Sequence, residues 1–192
     1  MLRCLSIVWV VFLYTTALAA AQPHAILDTT ASSSVPLSDT LGTYHHPITT
    51  LSALAQRYFD QGLRLLYGFD YAEAIRSFQE AARLDPHCAM AYWGIALALG
   101  PTINSPLDPE QEKMAYTVIQ QARALAHYAS AYERAYIKAL AKRYSLSSAA
   151  DRQARDRAYA DAMRELSRRY PNDLDAATLF AAALMELNPC EY

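Results

Sequence analysis

The stretch Ala55–Cys88, AQRYFDQGLRLLYGFDYAEAIRSFQEAARLDPHC, decides the fold. Tyr58, Gly62, Leu65 and Leu66 recur at helical spacing in its first half, with Arg57, Asp60 and Arg64 on the other side. Gly68-Phe69-Asp70 breaks that pattern and turns the chain. Tyr71 to Leu84 restores it as a second helix, which Asp85-Pro86 stops. Two antiparallel helices approach closely only where their side chains are small, and Gly62 and Ala74 supply such positions. Tyr58, Leu65, Phe78 and Ala81 fill the space around the contact, and Pro86 redirects the chain.

Working outward, two further hairpins are expected downstream. Cys88 to Leu99 is apolar nearly all round, as a helix packed between neighbours would be. Its partner, from about Asp108 to Ala126, carries Met114, Ala115, Val118, Ile119, Ala122 and Leu125 on one stripe. The proline-rich connection Gly100–Leu107 is too long for a tight turn and reads as a stiffened surface loop. Ser130 to Tyr144 is expected to pair with roughly Ala150 to Tyr170, whose six arginines alternate with acids at i to i+3 or i+4 and read as a solvated face. A last helix, Leu174 to Leu187, has little polar surface. Further repeats are therefore expected to pack on it, and the chain reads as the N-terminal portion of a longer protein.

Upstream, residues 1–21 have a positive start, an apolar run and small residues at the exit, the pattern of a secretory signal peptide. The product is expected to be secreted or periplasmic, with no transmembrane segment once the signal is removed. Residues 22–47, rich in Ser, Thr, Ala and Pro, read as a flexible leader, with Thr49 or Thr50 capping the first helix. Residues 48–192 then form the helical domain. Cys88 and Cys190 remain in the mature chain, as a bridge or as buried thiols.

The Ala55–Cys88 pattern resembles a tetratricopeptide repeat, a helical hairpin of about 34 residues that stacks into a superhelix. Gln61 departs from it, since the pattern prefers leucine there. From about His45 onward, the segments HHPITT, CAMAYWGIALALGPTIN, ERAYIKALAKRY and YADAMRELSRRYPNDLDAATLFAAALMEL resemble a family of secreted or periplasmic bacterial-type tetratricopeptide repeat proteins of uncharacterised function. That family often has Asn-His where this chain has Asp70-Tyr71, and Pro-Trp where it has Pro189-Cys190. The resemblance implies an all-α solenoid and a role in binding; it brings no catalytic residues.

The chain has 192 residues, a net charge of −2 and 19% charged residues, with both signs interspersed, which gives no nucleic-acid footprint. No H-x-x-x-H, CxxC, CxxCH or G-x-S-x-G motif occurs, so no catalytic residue and no cofactor is expected. Paired acids at Asp108 and Glu110, and at Asp173 and Asp175, stand at helix starts and read as caps. Among 14 tyrosines, Tyr132 and Tyr136 with Tyr92 and Trp93 are candidates for a partner-binding groove, against the alternative of interlayer core. The leading expectation is a non-enzymatic exported scaffold for an unknown protein or peptide. The first alternative is a metal-dependent protein using His45, His46, His87 and Cys88; the second is a fragment without independent function.

Overall fold

A computed structural model of the chain describes residues 35–102, 108–146 and 152–187, and the statements below concern those. The expected signal peptide, leader residues 22–34, the middle of the proline-rich loop and Cys190 lie outside them. The described residues are all-α, with seven helices: α1 Ala53–Tyr67, α2 Tyr71–Leu84, α3 Ala89–Ala98, α4 Pro109–Ala124, α5 Ala131–Leu140, α6 Arg152–Arg169 and α7 Leu174–Leu187. Among the described residues, no helix is long and apolar enough to cross a membrane.

α1 and α2 form the expected hairpin. Its turn keeps Gly68 at φ −84° and places Phe69 in the left-handed region at φ 63°. Phe78 is the centre of the packing. A Cβ added to Gly62 would stand 2.5 Å from its ring, and one added to Gly94 on α3 would stand 2.6 Å from it, so two glycines on two helices clasp one ring. From there an aromatic chain crosses the core: Phe59 lies 5.4 Å from Phe78 and 6.5 Å from Trp93, and Trp93 lies 5.4 Å from Tyr136 on α5. Ala74 and Ala81 are fully buried in the same core, Tyr58 is buried and Leu65 packs against it.

The later pairing differs from expectation. α3 packs on α4 as anticipated, but α6 packs mainly along α7, and α5 fits between α3, α4 and α6. Charge explains part of this. Arg143, just after α5, is buried between Asp156 of α6 and Glu186 of α7, and Arg155 reaches Glu112 of α4 at 2.9 Å. The arginines of α6 are thus not one solvated face: Arg164 with Asp161 and Arg168 with Glu165 stay at the surface, while Arg155 is buried.

The largest correction concerns residues 35–47, expected to be part of a flexible leader. They lie along α1 as an ordered strap. Tyr58 donates its hydroxyl to the Val35 carbonyl at 2.8 Å. Buried Gln61 donates to the Pro36 carbonyl and to Ser77 Oγ and accepts from the Ser38 amide, so the polar departure from the repeat pattern is what holds the strap. Arg64 donates to the carbonyls of Gly42 and Tyr44 at 2.9 Å. Asp60, expected opposite the packed face, is buried, and its carboxylate accepts from the His46 amide, the Gln56 amide group and His45 Nδ1. The polar side of α1 meets the polar groups of another segment, which satisfy it as water would.

The strap ends in an anchor. Thr49 donates its amide and its hydroxyl to Glu133, and Thr50 donates its hydroxyl to Asp85, so Ser52 caps α1 in their place. Glu133 is almost fully buried and also closes a capping box with Ser130 at the start of α5. Burial opposes its charge, but hydrogen bonds from Thr49 and Ser130 outweigh that and hold the carboxyl below its ordinary range.

Candidate functional site

The strap carries His46 into the molecule, where it meets the first turn of α7. Asp173 caps that helix, accepting from the Ala176 amide at 3.1 Å, as the acid pair at a helix start led one to expect. Its other oxygen, however, accepts the hydroxyls of Tyr132 and Tyr136 at 2.6 and 2.5 Å. Asp175 is turned inward and 5% exposed. Its Oδ2 bonds His46 Nδ1 and the Tyr44 hydroxyl, each at 2.5 Å, and its Oδ1 accepts the Tyr67 hydroxyl at 2.5 Å. Capping accounts for neither set of contacts.

The electrostatics follow from these partners. Burial works against the Asp175 charge, but hydrogen bonds from His46, Tyr44 and Tyr67 outweigh it and hold the carboxyl below its usual range. An ionised carboxylate only accepts, so His46 Nδ1 carries the proton between them. The four tyrosines move the other way. Burial, with the neighbouring carboxylates, raises their hydroxyls well above the ordinary tyrosine range, so they remain neutral donors. The His46 ring is stacked near Tyr132 at 5.8 Å and edge-on to Tyr136 at 5.9 Å, with Phe59 at 6.1 Å.

Two cavities open on either side of this network. A polar one of about 530 Å³ is lined by His45, His46, Tyr132, Arg169, Asn172 and Asp173, among others. An apolar one of about 490 Å³ lies between the α1–α2 turn and α7, lined by Leu66, Phe69, Tyr71, Leu97, Tyr159 and Leu179, among others. Tyr44, Leu174 and Asp175 border both.

The residues singled out from sequence are dispersed. His46 joins the two carboxylates, and His45, more exposed, pairs with Asp60 at 2.7 Å. His87 is exposed, its ring tilted by 41° against Tyr128 at 4.5 Å. Cys88 is a buried free thiol at the start of α3, pushed up to about 12 chiefly by burial. Among the described residues these four form no common ligand group. Trp93 and Tyr136 are buried core, Tyr132 turns its hydroxyl to Asp173, and Tyr92 is half-buried, so the four do not line an open groove. The residues that sequence reading missed are Tyr44, Tyr67, Asp173 and Asp175. Their partners lie more than 100 positions away for Asp175, and no local spacing signals that.

No family model, curated protein or solved structure matches this chain.

Proposed function

We propose that the chain is an exported, tetratricopeptide-like helical scaffold that binds a peptide segment of another protein, seating an apolar side chain in the cavity between the α1–α2 turn and α7. That cavity is the observation that carries the reading. Its volume of about 490 Å³ falls in the range of ligand pockets, and its walls are largely aliphatic and aromatic. Three of its lining residues are large apolar side chains left substantially in water: Phe69 at 70%, Leu174 at 73% and Met185 at 54% exposure. Exposed apolar groups gathered around a concavity favour a partner that covers them. The hairpin signature of Ala55–Cys88 supports the repeat architecture, and the N-terminal 21 residues support export.

The test is a selection of displayed peptides on the purified mature chain. Peptides with a conserved apolar anchor should be enriched. Replacing the exposed cavity residue Thr178 with Trp, which fills the space from its open side, should abolish their binding while the helical circular dichroism stays unchanged. Equal binding to the Thr178→Trp chain would refute the assignment of this cavity.

A further inference from the structure

His46, Asp173 and Asp175 each place one ligand-type atom within 4.8 Å of the other two, and all three line the polar cavity. From these observations we infer that they form a binding site for a first-row transition-metal dication, an inference independent of the peptide-binding reading.

Two carboxylates stand together, and their hydrogen-bond donors are the tyrosines 44, 67, 132 and 136, the Ala176 amide and His46. Hydroxyls and an amide satisfy lone pairs without neutralising charge, and His46 is the one group among these donors able to carry a positive charge against two carboxylates. Among the described residues, no lysine or arginine bonds either carboxylate; Arg169, the basic side chain lining this cavity, lies over the Tyr170 ring at 5.5 Å. A dication supplies the missing charge.

The His46 side chain is only 7% exposed, yet Nε2 has no hydrogen-bond partner while Nδ1 stands against Asp175 Oδ2. Buried imidazoles are ordinarily satisfied on both nitrogens. A ring held this tightly by Phe59, Tyr132 and Tyr136 is already oriented, which lowers the cost of ligation.

An imidazole nitrogen beside two carboxylates suits borderline dications such as Zn²⁺ or Fe²⁺ better than Ca²⁺ or Mg²⁺, which take oxygen, or Cu⁺, which takes sulfur. With Nδ1–H kept on Asp175, the unpartnered Nε2 is the ring's ligand atom, so a neutral imidazole takes the metal and no proton is exchanged. Asp173 supplies a carboxylate oxygen, Asp175 orients the ring through Nδ1, and water from the cavity fills the remaining positions. The tyrosine hydroxyls continue to hold both carboxylates.

The full untagged chain, stripped with a chelator, is titrated with Zn²⁺ by calorimetry and loaded with Mn²⁺ or Cu²⁺ for electron spin-echo measurements. One equivalent of Zn²⁺ is expected per chain. His46→Gln and Asp173→Asn should each weaken binding by roughly tenfold or more, and His87→Gln, which alters an exposed histidine outside both cavities, should leave it unchanged. Nitrogen modulation from one imidazole should vanish in His46→Gln and persist in His87→Gln. Asp173→Asn keeps an oxygen to cap α7, so it decides the matter if His46→Gln does not fold. Substoichiometric binding, or binding indifferent to both His46→Gln and Asp173→Asn, would overturn the site.

Discussion

The two cavities share a wall of Tyr44, Leu174 and Asp175 and still differ in almost everything a ligand would notice. One is bounded by the apolar sides of α1, α3 and α7; the other is bounded by the strap and by the turn that opens α7. The difference lies in how each was assembled. The apolar cavity arises where helices pack with a gap, a result of side-chain volumes. The polar one arises where an extended segment, with backbone groups to satisfy, is laid against buried acids, a result of hydrogen bonding. A helix alone would have left Asp60 and Asp175 to water.

The most severe way to break this comparison is to remove the shared wall. Asp175→Ala leaves the buried His46 Nδ1 and the Tyr67 hydroxyl without an acceptor and should lower stability by about 3 kcal/mol in urea denaturation. Asp175→Asn, which keeps an acceptor, should lose less. An Ala variant as stable as the native chain would show that the network contributes nothing to folding.

Glu133→Gln tests the polar side alone, where the strap is anchored. The native carboxyl titrates below its ordinary range, so its contribution is fully present above about pH 4.3, the unfolded value. That contribution disappears as pH falls through the lower folded value. The variant should be less stable by about 1.5 kcal/mol at neutral pH, and the gap should close toward strong acid. A gap independent of pH would mean that charge is not what Thr49 and Ser130 recognise. Gln61→Leu puts an apolar side chain at this packed position and should cost about 1 kcal/mol, with faster hydrogen exchange at the Ser38 amide. Unchanged protection there would place the strap's hold elsewhere.

The smallest effect sharpens the comparison from the apolar side. Phe69 occupies left-handed backbone at φ 63° while its side chain is exposed beside the cavity. Phe69→Gly relieves that strain and should raise stability by somewhat under 1 kcal/mol. Affinity for the selected peptides should fall at the same time. A variant that is more stable and binds equally well would remove Phe69 from the binding face.

What could be read from sequence was what repeats locally. The period of α1 and α2, the stop at Asp85-Pro86 and the limits of α7 are set by neighbours within a few residues, and the helices form where the pattern places them. The closest approach was legible as Gly62, although Phe78 is what it receives. The strap was not legible, because hydrophobic periodicity sorts polar from apolar and cannot distinguish water from a polar chain segment as the covering partner. Gln61 was the available signal: a polar residue at a packed position needs a partner, and the Ser38 amide and Pro36 carbonyl are those partners. The acid pair of α7 was explained too soon, since one carboxylate can cap a helix with one oxygen and serve a different element with the other. The pairing of α6 with α7 over α5 depended on Arg143, whose carboxylate partners lie on both.

The ring of Phe78, held between Gly62 and Gly94, also has a meaning in time. A phenyl ring turns over only when its surroundings withdraw, and here α1 and α3 must separate before it can. Its flip rate, read from the line shapes of its ring protons, is therefore a clock for how often the interior breathes. Widening one side with a smaller neighbour at Phe59 would speed that clock without moving a single helix boundary.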